Sequence, residues 1–178
     1  MNFTELFRQI KPEDIEDDVF TLTGQVFPVV TVGGAENYNS MTASGGGMGL
    51  LFRRPTTMLL FPAKRYTLEL IRRERRYTMS YFPDQYREQV MFLGSKSGRD
   101  SEKMKEVTLT GIAAQSGLMS FREARLVIEC KLVQMTTPKY PDDFYDQEAL
   151  DYMREPYANP GEHRCYVFGE MTAVWEKR

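Results

Sequence analysis

Short apolar runs of strand length, separated by turn residues, constrain the fold of this chain more than any other feature. Residues 126–132 alternate apolar and polar side chains, with Leu126, Ile128, Cys130 and Leu132 on one face, which predicts a long half-buried strand. Similar runs rich in Val, Phe, Thr and Tyr occupy residues 19–34, 56–64, 77–82 and 164–177. The chain is therefore expected to contain six or more strands.

Helical patterns lie between these runs without a regular strand–helix alternation. Residues 67–76 and 84–94 predict helices, the first with Thr67 as its cap and the second running from Pro83 to Gly94. Residues 96–107 predict a loop and a short helix capped by Asp100 or Ser101, and residues 142–156 a further helix. This order fits a doubly wound parallel sheet poorly and favours a mainly β fold, an antiparallel β-barrel with inserted helices. We expect one domain over residues 1–178, with residues 1–18 as a polar lead-in.

Composition and charge exclude several functional classes. The 178 residues carry 25 acidic and 23 basic side chains, a net charge of -2, which argues against a protein built mainly to grip nucleic acid. The basic run "RRERR" at residues 72–76 predicts a solvated helix face rather than a nucleic-acid site. No apolar run reaches the length of a membrane span, and the acidic start lacks the layout of a signal peptide, so we expect a cytoplasmic protein without membrane contact.

Cysteine and histidine usage gives no sign of a metal site or of nucleophilic catalysis. Cys130 and Cys165 lie on strand-like runs and are expected in the core rather than in a disulfide or a zinc site. His163 is the only histidine, and no nucleophile motif accompanies it. It could be a general acid or a substrate contact.

Three consecutive glycines follow a row of small hydroxyl residues in "NYNSMTASGGGMG", residues 37–49. Glycine lets the backbone approach a ligand closely, and the amides and hydroxyls here suit a phosphate or the polar edge of a ring system. The stretch lacks the lysine of a P-loop and the spacing of a dinucleotide fingerprint. A glycine-rich turn or bulge explains it equally well.

Cations stand next to two predicted helix starts. Lys64 and Arg65 precede the helix at Thr67, and Lys96, Ser97 and Arg99 precede the short helix that contains Lys103. A helix N-terminus beside a hydroxyl and a cation can bind phosphate, although an ordinary capped surface helix has the same sequence.

Taken in order, "NSMTASGG", "PAKRYTLELI", "GSKSGRDSEKMK" and "EARLVIECKL" resemble the flavin reductase-like, FMN-binding split β-barrel family, and within it the flavoredoxin-like branch. The resemblance extends from about Phe27 to the final strand "YVFGEMTAVW". It implies a homodimer of split barrels with FMN held non-covalently near the dimer interface. The implied flavin contacts are Asn39, Met41, Thr42, Ala43 and Ser44 in a first segment, Arg65, Tyr66 and Thr67 in a second, and Lys96, Ser97 and Lys103 in a third, whose cations would bind the phosphate.

Two departures from the family pattern bear on the chemistry. Many relatives have Trp directly after the serine of the first segment, where this chain has Gly45, so an aromatic wall against the ring is absent there. A Gly-Asp-His motif of many flavin reductases, which is associated with the nicotinamide, is matched only by Gly161, Glu162 and His163, at a spacing one residue too long. His163 is therefore either a nicotinamide or substrate contact that faces the flavin, or a surface histidine.

Three functions follow as hypotheses. The first is an oxidoreductase in which NADH or NADPH reduces bound FMN and electrons pass to free flavin or another acceptor. The second is a non-enzymatic FMN electron carrier between protein partners. The third is a barrel that has lost FMN and binds another molecule.

Overall fold

The structure, a computed structural model, describes residues 2–99, 102–154 and 163–178. Within them the strands are β1 (Phe7–Ile10), β2 (Val29–Gly34), β3 (Asn37–Thr42), β4 (Gly46–Leu51), β5 (Arg54–Pro62), β6 (Arg76–Tyr81), β7 (Gly111–Ala113), β8 (Met119–Phe121), β9 (Leu126–Thr136) and β10 (Arg164–Lys177). The helices are α1 (Phe3–Leu6), α2 (Val19–Thr21), α3 (Tyr66–Glu74), α4 (Arg87–Ser95) and α5 (Gln147–Arg154). A π-helical turn follows α2 at Leu22–Val26, and 3₁₀ turns lie at Pro12–Asp14, Asp84–Tyr86 and Lys103–Lys105.

One antiparallel sheet organises the fold, in the order β3-β2-β6-β9-β10-β5-β4. The strand β10 spans 14 residues and pairs with β9 along one side. Along its other side it pairs first with β5 and then with β1. Two register shifts between β10 and β9 bend the sheet, as β-bulges do. The expected mainly β, split-barrel fold with inserted helices is confirmed, and the described strands do not close into a complete barrel.

Each face of the sheet carries its own apolar cluster, because alternate side chains along a strand point to opposite faces. On β9, Ile128 and Cys130 belong to one cluster and Val127 to the other. The first cluster is filled by side chains of β5, β6 and β10 and by Leu68 and Ile71 of α3. The second lies under α1, α4 and β8 and includes Phe3, Phe7, Val29, Phe82, Leu93, Phe121 and Trp175. Cys130 and Cys165 are buried free thiols, as expected for core residues.

The N-terminal residues are part of this core, so the expectation of a polar lead-in over residues 1–18 is wrong. The β1 strand pairs with the end of β10, and Phe7 is fully buried. The Phe3 ring stacks on the Phe7 ring at 4.6 Å and meets Trp175 edge-on at 5.3 Å. Aromatic residues from the two ends of the described chain therefore bury one another. The polar residues that adjoin Phe3 and Phe7 along the chain give no sign of this contact.

Three further local expectations are corrected. Residues 19–26 form α2 and the π-helical turn, because the Asp18 carboxylate accepts hydrogen bonds from the amides of Phe20 and Thr21 and caps the helix. Thr67 is not the cap of α3, since that helix begins at Tyr66 with Arg65 as its N-cap residue. Glu102 occupies the N-cap position of the turn at Lys103–Lys105, and the predicted caps Asp100 and Ser101 lie outside the described residues.

We predict that Phe7→Ala lowers the free energy of unfolding by about 3–5 kcal/mol, because it removes a buried ring from the second cluster. The matched control is Arg8→Ala, which removes only an exposed ion pair with Glu176 and should cost below about 1 kcal/mol. Urea unfolding measures both. Equal losses in the two variants would mean that the N-terminal strand contributes no core.

Candidate functional site

The second and third predicted segments meet at a cavity of about 330 Å³. Its lining is Met41, Pro62, Lys64, Arg65, Tyr66, Thr67, Lys96, Ser97, Gly98 and Lys103. Seven of these are residues that the family resemblance implied, and they come from all three segments: Met41, Arg65, Tyr66, Thr67, Lys96, Ser97 and Lys103. Asn39, Thr42, Ala43 and Ser44 do not line it. The sequence analysis did not predict Pro62 and Gly98 as site residues. Gly98 could have been found, because a glycine within a run of cations and hydroxyls lets the backbone come close to a ligand.

The Asn39 side chain connects the three segments behind the cavity wall. Its amide nitrogen donates to the Thr67 hydroxyl over 2.8 Å in a buried hydrogen bond. Gly98 packs on the same side chain so closely that a Cβ there would come 1.9 Å from the Asn39 Oδ1 atom. Asn39 therefore sets the distance between β3, the start of α3 and the segment that carries Lys96 and Ser97.

The rest of the first segment is held by α4 and by the residue before β2. Thr42 donates its hydroxyl to the Val90 carbonyl of α4. Ala43 is buried, and its amide donates to the Pro28 carbonyl over 3.0 Å, whereas Ser44 is exposed. These three residues continue from Met41 along the same chain and so extend away from the cavity.

Two of the three glycines after Ser44, Gly45 and Gly46, are required by a tight turn between β3 and β4. Gly45 and Gly46 have φ angles of 89° and 151°, in the region that favours glycine. A Cβ on Gly46 would lie 2.2 Å from the Met58 carbonyl oxygen on the neighbouring strand. The interpretation of the three glycines as a glycine-rich turn is therefore correct. The strands on either side of the turn, β3 and β4, were not predicted from the sequence.

The first turn of α3 supplies hydrogen-bond donors to the cavity. The helix begins at Tyr66, so the amides of Tyr66 and Thr67 have no partner within the helix, whereas the Leu68 amide donates to the Arg65 carbonyl over 3.0 Å. The positive end of the helix dipole lies at the same place. Thr67 accepts from Asn39 with its hydroxyl oxygen, and the hydroxyl proton remains a donor. Amides, a hydroxyl and the Arg65 guanidinium together favour an anion.

Lys103 places a cation in the wall of the cavity with only 2% of its surface exposed. Its ammonium donates to the carbonyl oxygens of Leu93 over 3.0 Å and Lys96 over 2.8 Å, at the end of α4. An ammonium has three N–H donors, so one remains beyond these two carbonyls. Burial, and then the nearby charge of Arg65, lower the pKa of Lys103 to about 8.

The cavity has the chemistry of a phosphate site. Its lining includes the cations of Lys64, Arg65, Lys96 and Lys103, and none of the lining residues that the structure describes carries a carboxylate. Lys103 and Arg65 repel each other in this partly buried cavity. A bound anion is favoured there, because its charge offsets both the repulsion between the two cations and the cost of burying them.

Comparison with known proteins identifies the family. The model of the flavin reductase-like domain matches residues 21–177. The chain belongs to this family. No curated protein matches the chain.

Solved structures with the same fold include an FMN-binding protein, a flavoredoxin and a nitroreductase. An FMN-binding protein from Thermus thermophilus, with bound 1-cyclohex-2-enone, has a TM-score of 0.65 and 23% identity over 95% of this chain and 78% of its own. The flavoredoxin of Desulfovibrio vulgaris (Miyazaki F) has a TM-score of 0.64 and 17% identity, over 93% and 75%. A 2-nitrobenzoate 2-nitroreductase of Pseudomonas fluorescens has a TM-score of 0.60 and 18% identity, over 85% and 66%. The expected cofactor, FMN, agrees with the family and with these structures.

His163 is buried, so the alternative of a surface histidine is wrong. Its ring centroid lies 4.2 Å from that of Tyr140, and its carbonyl accepts from the Ala63 amide over 3.1 Å, at the start of β10. It does not line the phosphate-type cavity. Whether it contacts a substrate stays a prediction, and Gly161 and Glu162 of the compared motif lie outside the described residues.

The basic run at residues 72–76 is exposed at the end of α3 and the start of β6, as a solvated face would be. Arg73 pairs with its neighbour Glu74 at 2.8 Å. Among the described residues, no group of three or more His, Cys, Asp or Glu side chains could hold a metal ion. None of the described helices is long and apolar enough to cross a membrane.

Proposed function

We propose that this chain is an FMN-dependent oxidoreductase that takes electrons from NADH or NADPH and passes them to free flavin or another acceptor. The observation that carries the proposal is the cavity at the start of α3, where the described lining residues include four cations and no carboxylate and where Lys103 is buried in the wall beside Arg65. The family match and the FMN-binding structural neighbours support it.

The phosphate of FMN would lie in that cavity. Lys103 and Arg65 would neutralise it, and the first amides of α3 with the Thr67 hydroxyl would donate to it. Lys96 and Ser97 line the same cavity from the opposite segment. The small and apolar residues from Met41 to Ala43, which continue from the cavity wall, would then place the ring system along the first segment.

Bound FMN would supply the redox chemistry, so the protein needs no nucleophile or general acid of its own. The residues around the cavity are donors and cations, which bind and orient rather than react. The task of the chain would be to neutralise the phosphate, to position the ring and to keep one face of it accessible. A carrier of electrons between proteins needs the same cavity, and the flavoredoxin likeness makes this the second candidate.

The first experiment is the visible spectrum of the purified chain after incubation with FMN and desalting. We expect flavin absorption to co-elute with the protein and to bleach under anaerobic NADH or NADPH with a saturable steady-state rate. Bound flavin without such a rate would identify the carrier. A chain that retains no flavin would overturn both functions and leave the third hypothesis, a barrel without FMN.

We predict that FMN affinity falls as pH rises through about 8, because the phosphate prefers the charged form of Lys103. Binding raises the pKa of Lys103 and takes up a proton above pH 8, whereas the phosphate itself, with a second pKa of about 6, stays dianionic there. Lys103→Met should weaken binding about 10- to 100-fold at pH 7 and remove this pH dependence. Quenching of FMN fluorescence measures the affinity.

The matched control for that prediction is Lys105→Met. Lys105 is exposed and paired with Glu102 at 2.8 Å, so its loss should change neither the affinity nor its dependence on pH. The same fall of affinity with pH in the Lys103→Met protein would rule out Lys103 as its source.

We also propose that two copies of the chain form the homodimer that the family resemblance implies. The interface would be an apolar surface, called here the hairpin patch, which consists of Phe20, Leu50, Leu51 and Phe52. Phe20 and Leu50 are each 79% exposed, and α2 packs against β4. The patch borders a groove of about 590 Å³ that includes Ile15, Met48 and Met171. Continuous apolar surface of this kind is typical of an interface, and a two-fold dimer buries the same patch on both copies.

The turn of the hairpin strengthens this proposal. Phe52 and Arg53 both have positive φ angles, 54° and 59°, in a two-residue turn where glycine or asparagine is usual. Such a conformation costs of order 1 kcal/mol per residue. An exposed phenylalanine at a strained position is explained if the turn presents it to a second copy.

We predict that the chain sediments as a dimer and that Leu50→Glu shifts it to a monomer, because the patch would then bury an unpaired charge. Val133→Glu is the control, an exposed apolar residue on β9 outside the patch. Sedimentation velocity over a concentration series gives the result. A monomeric parent chain, or dimers in both variants, would contradict the assignment of the interface.

A further inference from the structure

A second cavity, of about 280 Å³, lies at the opposite end of α3 from the phosphate-type cavity. One wall carries Arg72 and Arg75, at the end of the helix, and the other is formed by residues 132–137, which end β9 and continue past it. The two cavities share no described lining residue. They are separated by the length of α3, about 13 Å at a rise of about 1.5 Å per residue, so the phosphate of one FMN cannot fill both.

Both arginine side chains are held in place by neutral acceptors. Arg72 donates from Nη2 to the sulfur of Met135 over 3.4 Å, and Arg75 donates from Nε to the Arg72 carbonyl over 2.9 Å. The Arg75 carbonyl accepts from the Leu132 amide over 2.9 Å, which ties the end of the helix to β9. A guanidinium has five N–H donors, so most donors of each arginine remain for a ligand.

The charge of these two arginines is not balanced within the described part of the chain. Neither forms an ion pair with a described carboxylate, and no described residue that lines the cavity carries one. Arg73, which lies between them in the sequence, pairs with Glu74 at 2.8 Å. The helix dipole favours a cation at this end of α3, but Arg73 would satisfy it equally well. It does not explain why two other arginines line one cavity.

The backbone of Arg75 gives a second reason to assign a role to its side chain. Its φ of 59° and ψ of 11° place it in the left-handed region, directly after α3. Glycine is the usual residue at such a helix end, because any side chain adds strain there. An arginine at this position is explained if its guanidinium binds a ligand.

We propose that this cavity is a second anion site, in which Arg72 and Arg75 bind the phosphate group of a small phosphorylated molecule. Two guanidinium groups match the charge of a dianionic phosphate, and each can pair with it through parallel N–H donors. The hydroxyl groups of Thr136 and Thr137 line the same cavity and would donate to the remaining oxygens. A single carboxylate would neutralise only one of the two arginines. The site is independent of the function proposed above, since it uses none of the residues assigned to FMN.

The experiment is calorimetric titration at pH 8 with inorganic phosphate, and with acetate as a singly charged comparison. The FMN-loaded protein is used, so that the first cavity is filled. If the chain retains no FMN, the Lys103→Met variant replaces it, because that change weakens the first cavity for anions. We expect phosphate to bind about tenfold more tightly than acetate, as additional charge-assisted hydrogen bonds would provide.

Arg72→Gln and Arg75→Gln should each weaken phosphate binding about tenfold. Arg75→Gly should weaken it as much while relieving the backbone strain, so a loss of binding there cannot be attributed to misfolding. Arg73→Gln is the matched control. It removes the same charge from the same helix end, outside the cavity, and should change the affinity less than about twofold because exposed charges are screened.

Equal losses in the Arg72, Arg73 and Arg75 variants would show that phosphate responds only to the general field of the basic run, and would overturn the site. A parent protein that binds no phosphate would overturn it as well. Retention of FMN is read separately from the absorption spectrum, so either proposal can fail while the other stands.

Two sources of the phosphate are told apart by NADPH and NADH, since NADPH carries a phosphate monoester that NADH lacks. If NADPH binds more tightly and Arg72→Gln removes the difference, the ligand is a phosphorylated nicotinamide dinucleotide. If the two bind alike while inorganic phosphate still depends on both arginines, the ligand is a smaller phosphorylated molecule.

Discussion

The buried hydrogen bond from Asn39 to Thr67 is the contact on which the geometry of the site depends. It joins an inner position of β3 to the first turn of α3, 28 residues later in the chain. Gly98 fits against the same amide only because it has no side chain. Loss of this bond would leave a buried amide unsatisfied and free the two walls of the cavity to separate. The cavity is therefore a property of the folded sheet rather than of any one loop.

Charge in the cavity works against the stability of the chain without a ligand. A lysine whose pKa is about 8 when folded and 10.5 when unfolded binds fewer protons in the folded state between those values. Folding stability therefore increases as pH rises from about 8 to about 10.5, and below pH 8 the buried charge lowers it. A protein selected for stability alone would place a neutral side chain there. The lysine is explained by an anion that binds the folded state, since such binding adds stability by mass action.

The sequence indicated the strands and helices whose pattern is local. The alternation on β9 and the apolar run of β5 were sufficient to predict these two strands, because each pattern follows directly from which side chains face the core. The predictions of secondary structure failed where a tertiary contact or a helix cap determines the local conformation. Val19–Thr21 carries strand-forming residues, yet the Asp18 cap makes it helical. Phe3 and Phe7 looked like part of a polar tail because their partner, Trp175, comes at the other end of the chain.

The sequence indicated the cations and hydroxyls that line the cavity and not the aromatic side chain beside Gly45, for a physical reason. Cations and hydroxyls next to helix starts reveal a phosphate site locally, because the helix terminus itself supplies the donors. The side chain beside Gly45 is that of Tyr152, which belongs to α5 and comes more than a hundred residues later in the chain. The position that seemed to lack an aromatic residue thus has one nearby from another element. A side chain that reaches the turn from a separate helix leaves no local signal in the sequence around Gly45, so only the folded structure reveals it.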